Sequence, residues 1–112
     1  MKKILSSFLI LFAFIFTALP VFSGTVIIES WRNDDADAWN EKVIPAFNKQ
    51  YPNIEIIFQT TIPAQYSASV SAKLEGGNAG DLITLIPFDQ SLKLYNRGWL
   101  ESLNGLNGLE NY

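Results

Sequence analysis

No cysteine and no histidine occur in the 112 residues of this chain. The first absence removes disulfides, thiol nucleophiles and a cysteine-linked lipid anchor. The second removes Ser-His triads, and the two together remove the common zinc ligand sets. Catalysis would have to rest on carboxylates, lysine or tyrosine. Basic residues are also scarce: eight Lys and Arg stand against eleven Asp and Glu, a formal charge of −3. An acidic chain without a basic cluster has little to neutralise phosphate, so nucleic acid and anionic lipid surfaces are not expected partners. No Gly-x-Gly-x-x-Gly follows the first predicted strand and no phosphate-binding loop occurs, which argues against a nucleotide enzyme.

What is present starts with a leader. Met1-Lys2-Lys3 opens an apolar run from Ile4 to Leu19, interrupted only by Ser6, Ser7 and Thr17, and Pro20-Val21-Phe22-Ser23-Gly24 ends it. A basic start, an apolar middle and a small-residue end form the layout of a secretory signal peptide. The run is shorter and more interrupted than the roughly 20 apolar residues of a spanning helix. We therefore expect residues 1–23 to be a signal peptide, cut after Ser23 or Gly24, with no membrane insertion afterwards. Loss of Lys2 and Lys3 leaves a mature part of about 88 residues and charge −5. That length suffices for one small domain with marginal burial.

Three runs read as strands: Thr25–Trp31, Asn53–Thr60 and Asp81–Ile86. The first and third are nearly continuous apolar stretches, as in strands covered on both faces. Helical spacing fills the gaps. Trp39, Val43, Phe47 and Tyr51 form one stripe beside Ile44, with Asp35 or Asp37 available as cap and Pro45 expected to kink or restart the helix. Tyr66, Val70 and Leu74 form a second stripe over about Gln65–Glu75, stopped by Gly76-Gly77-Asn78. A third helix is expected over Gln90–Asn96, with Leu92, Tyr95 and Trp99 on one side and Gly98 as its stop. Residues 103–109 read as a turn-rich tail. Alternation of strand and helix predicts an α/β fold with a parallel βαβαβα core.

Ligands of open parallel sheets bind beyond the carboxyl ends of the strands, where strand order reverses. For an order 2-1-3 that point lies between strands one and three. The loops Trp31-Arg32-Asn33-Asp34-Asp35 and Pro87-Phe88-Asp89-Gln90 end there, and each places an aromatic beside carboxylates, amides or a guanidinium. An aromatic face suits the C–H side of a sugar ring, and the polar forks suit its hydroxyls. Structural readings stand beside this one: Asp34, Asp35 and Asp37 suit a helix start, Asp89 suits a cap, and Trp39 and Trp99 suit a core. Asp81 at a strand start reads as structural, and Gln65 and Tyr66 are weaker site candidates. Asn33, Asp35 and Asp37 have the alternate spacing of a calcium loop. Ala38 stands where that loop needs Gly, however, and Ile44 where it needs Glu, so no metal is expected.

The stretch Val26-Ile27-Ile28-Glu29-Ser30-Trp31 followed by Trp39–Ile56, and later Gly80–Ile86 followed by Leu94-Tyr95-Asn96-Arg97-Gly98-Trp99-Leu100-Glu101-Ser102-Leu103, resembles the opening of extracellular solute-binding proteins of ABC importers. The likeness is greatest to the sugar-binding group that includes maltose-binding protein. It implies a periplasmic-binding-protein-like fold, with residues 24–112 as the N-terminal, incomplete part of the first lobe. It further implies a periplasmic, non-enzymatic protein without a cofactor, which captures a sugar or oligosaccharide and delivers it to a membrane permease. The implied ligand contacts are Trp31, Arg32, Asn33, Asp34, Asp35, Phe88, Asp89 and Gln90. Asp89 matches best, and Gln90 stands where some members carry Arg. Family members run to several hundred residues, so the resemblance also implies weak binding by this chain alone. Three readings remain beside it: a small exported interaction domain or non-functional remnant of the fold, an exported carboxylate hydrolase, and a binder of polyamines, metal chelates or phosphate-type solutes.

Overall fold

The computed structural model describes residues 23–86 and 88–109. The predicted leader, Ser23 excepted, lies outside the described residues. β1 (Gly24–Ser30) pairs in parallel with β2 (Ile54–Thr60), in a register running from Gly24 opposite Ile54 to Ser30 opposite Thr60. On its other side β1 pairs in parallel with β3 (Leu82–Ile83), Ile28 opposite Leu82 and Glu29 opposite Ile83. The sheet is parallel, as the alternating pattern implies, and its order is β2-β1-β3, the one considered above. β3 is shorter than the predicted Asp81–Ile86. The Asp81 carboxylate takes the Ile27 N–H at 2.8 Å in place of a strand carbonyl. Past Ile83, Thr84 donates one more bond to the Glu29 carbonyl at 2.9 Å, and β1 itself ends at Ser30.

A continuous helical segment, α1 (residues 33–50), joins β1 to β2. It opens as a 3₁₀ turn at Asn33–Asp35, continues through Ala36–Ala38, widens into a π turn at Trp39–Val43 and ends as regular α-helix at Ile44–Gln50. The wide turn explains how Pro45 is housed. Pro45 has no N–H for the Glu41 carbonyl and its ring would crowd that carbonyl. An i→i+5 bond from Ile44 N–H to the Trp39 carbonyl loosens the turn just before it. No side chain caps this segment; the expected Asp35 or Asp37 cap does not form. α1 covers one face of the sheet, where Trp39 stacks on Phe58 with centroids 4.7 Å apart and planes 7° from parallel. Val26, Ile28, Ile54 and Ile56 from the sheet and Ile44 and Phe47 from α1 line an apolar cavity of about 320 Å³ there.

α2 (Pro63–Glu75) covers the opposite face. Pro63 at its first turn loses nothing by lacking an N–H. The predicted stripe is inside: Tyr66 and Val70 are 1% and 2% exposed. Gly77 stops the helix at φ 69°, and its N–H donates to the Leu74 carbonyl. α3 (Asp89–Asn96) follows β3. The side that carries Leu92 and Tyr95 is exposed, and the helix buries Leu94 instead, at 3% exposure. The hydrogen bond from Gln90 Nε2 to Ser67 Oγ on α2 turns the Gln90–Leu94 side inward. Residues 103–109 form two successive turns, with Gly105 and Gly108 at φ 86° and 95°.

β1 carries a single charged residue, and it faces α2. Glu29 is 2% exposed and directly follows the apolar run Val26-Ile27-Ile28. Its two carboxylate oxygens accept from Lys73 Nζ of α2 at 2.8 and 2.7 Å, and Oε1 also accepts from Gly80 N–H at 3.1 Å. Gly80 must lack a side chain: a Cβ there would lie 2.7 Å from Glu29 Cγ and 2.8 Å from the Ile27 carbonyl. A buried carboxylate is tolerated only while its partners remain. Lys73→Met is therefore expected to destabilise the chain by about 3 kcal/mol or more. The double variant Glu29→Leu with Lys73→Met is expected to lose distinctly less than the single one, because it strands no charge. Urea unfolding of the three proteins measures both.

Candidate functional site

Because β1 lies between β2 and β3, its carboxyl end is where strand order reverses. The chain leaves β1 through Trp31 and Arg32 and enters the 3₁₀ turn at once. The Ser30 hydroxyl accepts the Arg32 N–H at 3.1 Å and holds this corner. The Arg32 guanidinium then folds back over its own loop. Nε donates to Asp34 Oδ1 and Nη2 to Asp34 Oδ2, each at 2.9 Å, and Nη2 also reaches Asp35 Oδ1 at 3.1 Å. Arg32 Cζ sits 5.4 Å from the Trp31 ring centroid. Asp34 and Asp35 thus engage a guanidinium and leave the helix start uncapped. The hydrogen bond from Arg32 holds the Asp34 carboxyl below its usual range, and the same bond raises Arg32. Trp31 is half-buried, and its indole N–H is buried without a hydrogen-bond partner among the described residues. Asn33 is exposed.

The second loop has a different character. Phe88 is 80% exposed and holds φ at 66°, the left-handed region that bulky residues avoid. Its carbonyl accepts the Leu92 N–H at 3.0 Å, so Phe88 occupies the flanking position that sequence assigned to Asp89. Asp89 is the first helical residue and makes no capping bond. Asp89 and Gln90 instead border a groove of about 400 Å³ between α2 and α3, shared with Ser67, Ser71, Lys93 and Arg97 over a floor of Ile86 and Leu94. Pro87 lies outside the described residues. Among the described residues no hydrogen bond, ion pair or ring contact joins residues 31–35 to residues 88–90; the fold carries the two sets on neighbouring strand ends without locking them together.

Of the weaker candidates, Gln65 is exposed, and Tyr66 is buried with its hydroxyl donating to the Glu29 carbonyl at 3.0 Å. Burial, with the Glu29 carboxylate adding to it, pushes the Tyr66 phenol from 10.0 up to about 12, against a smaller opposing hydrogen bond at the Thr84 backbone. Asp81 is structural, as expected, through its bond to Ile27 N–H. Sequence reading missed Ser67, Ser71, Lys93 and Arg97. Their signal is spacing: Ser67 and Ser71 stand four apart on α2, and Lys93 and Arg97 four apart on α3. Among the described residues no group of three Asp or Glu is placed to hold a metal ion.

No family model matches the chain, and no match is found among curated proteins or solved structures.

Arg32→Met is expected to return the Asp34 carboxyl upward toward its ordinary 3.8, read by NMR titration of the side chain. Tyr66 gives a second, alkaline signature. Its folded pKa lies above the unfolded value, so its contribution to stability is complete below pH 10 and is lost as pH rises toward 12. Urea midpoints across that range are expected to fall more steeply for the native chain than for Tyr66→Phe.

Proposed function

We propose that this chain is the solute-binding component of an ABC importer, with a periplasmic-binding-protein-like fold of which residues 24–112 form part of the first lobe. The protein is exported to the periplasm, captures a sugar or oligosaccharide and presents it to a membrane permease, without catalysing a reaction. One observation carries the reading. The chain reverses its strand order at β1, and directly past β1 it places an aromatic, a guanidinium and two carboxylates in one hydrogen-bonded corner. Open parallel sheets bind small molecules at that place. Trp31, half-buried beside the Arg32 guanidinium, offers apolar ring surface of the kind that a pyranose ring packs against. Arg32, Asp34 and Asp35 offer donors and acceptors already held by one another. Phe88, Asp89 and Gln90 supply a second aromatic-and-polar set at the end of β3. Export rests on the leader motif, and no helix among the described residues is long and apolar enough to cross a membrane.

Thermal unfolding of the protein against a panel of mono- and oligosaccharides tests this. One sugar is expected to raise Tm, since a ligand at a hundredfold excess over Kd adds about 2.7 kcal/mol. Asp89→Asn, at an exposed position, is expected to reduce that rise without changing the ligand-free Tm. A panel with no stabilising sugar would count against the reading, as would hydrolysis of a glycoside that stops in Asp34→Asn.

A further inference from the structure

The groove between α2 and α3 has a charge pattern that a neutral sugar does not use. Its α3 wall carries Gln90, Lys93 and Arg97, and its α2 wall carries Ser67 and Ser71. Asp89 at the rim is the one carboxylate lining it, so cations outnumber anions two to one. The Lys93 ammonium makes no hydrogen bond or ion pair among the described residues. Arg97 is engaged only loosely. Its Nη1 lies 3.5 Å from Glu75 Oε1 with both side chains more than half exposed, a pairing of little strength in water. Its guanidinium also rests 4.9 Å above the Trp99 ring, which fixes its position while leaving its N–H edge open to donate. At the other end, Gln90 bonded to Ser67 ties the two walls together, so the groove has a fixed mouth at that end. Ile86 and Leu94 give it an apolar floor. Its volume, about 400 Å³, falls within the range of small-molecule sites.

We infer that this groove binds a small polyol bearing one anionic group, a sugar acid or a sugar phosphate. The anionic group sits against Lys93 and Arg97. The hydroxyls lie toward Ser67, Ser71 and Gln90, with Asp89 accepting from one of them and the C–H face resting on Ile86 and Leu94. A charge-assisted bond to a guanidinium is about twice as strong as a neutral one, so the anionic group supplies most of the discrimination against a neutral sugar. The inference rests on the proposed function in making the solute a sugar. It goes further in naming the charge of the solute and the two cations that read it.

Titration calorimetry of the full chain with gluconate, glucose 6-phosphate, glucose and inorganic phosphate tests it. At least one of the two acidic sugars is expected to bind at least about tenfold more tightly than glucose and more tightly than inorganic phosphate, and added salt is expected to weaken that binding. A preference between gluconate and glucose 6-phosphate then identifies the anionic group. Lys93→Met and Arg97→Gln, both at exposed positions, are each expected to weaken the acidic ligand about tenfold with Tm unchanged. Ser67→Ala is expected to weaken both acidic and neutral ligands. Glucose binding as tightly as its acidic derivatives, with Lys93→Met silent, would overturn this inference and leave the proposed function standing. Failure of every sugar, neutral and acidic, would overturn both. Inorganic phosphate binding as tightly as glucose 6-phosphate would reduce the groove to a general anion site and overturn the polyol assignment.

Discussion

The arrangement of this domain depends on a buried carboxylate. Glu29 lies in the central strand, where every neighbour along β1 from Val26 to Ile28 is apolar, yet its side chain is almost wholly inaccessible. Two oxygens receive three hydrogen bonds, two from one lysine on α2 and one from a backbone N–H on the approach to β3. The same residue's backbone carbonyl accepts both the Tyr66 hydroxyl and the Thr84 N–H. Glu29 therefore ties the central strand, the helix beneath it and the short edge strand at once. Such a clasp contributes little net free energy against an apolar substitute of the same shape, and much once one partner is removed. Its chief effect is positional. It sets where α2 lies on the sheet and where the chain enters β3.

That placement fixes the geometry available to a ligand. β3 is only two residues long, too short to hold its own register by ladder bonds alone. Gly80 and Asp81 compensate from outside the strand: one donates its N–H to Glu29, and the other accepts the Ile27 N–H. With β3 pinned, α3 begins at a defined height, and Gln90 meets Ser67 across the groove. On the other side of β1, the chain turns sharply at Ser30 and Arg32, and the guanidinium closes on Asp34 and Asp35. Both polar regions thus follow the carboxyl ends of adjacent strands and are held by hydrogen bonds of their own. Preorganised polar groups of this kind lose little freedom when a ligand arrives.

The architecture was legible in the sequence because it follows from periodicity. Apolar runs at Val26–Ile28 and Leu82–Ile83, alternating with the Tyr66–Val70 stripe, lead to a parallel sheet; the order β2-β1-β3 is fixed by the pairings of β1 on both its edges. Other features were illegible for physical reasons. The inner face of α3 is not set by its stripe: Leu92, Leu94 and Tyr95 sit within one turn, and the side that carries Gln90, bonded to Ser67, is the one that buries Leu94. The length of β3 depends on a side chain, Asp81, replacing a backbone acceptor. The carboxylates near the start of α1 and Asp89 have capping chemistry, but Arg32 claims Asp34 and Asp35, and Phe88 takes the flanking place before Asp89. The lone acid in an apolar strand was itself a signal for Glu29, but its partners Lys73 and Gly80 lie 44 and 51 residues away and only the fold brings them there. At the candidate site, residues 31–35 could be named from sequence as a cluster, whereas the groove cations Lys93 and Arg97 emerge only once α3 is oriented.

The clasp at Glu29 is tested most directly by amide hydrogen exchange at Gly80. That N–H belongs to no strand or helix, and its acceptor is the buried carboxylate. The account predicts that it exchanges as slowly as the β1–β2 ladder amides, through opening of the whole sheet. A Gly80 amide that exchanges at the rate of an open loop, while the β1–β2 ladder stays protected, would contradict it: the edge strand and the groove beside it would then be held by something other than Glu29.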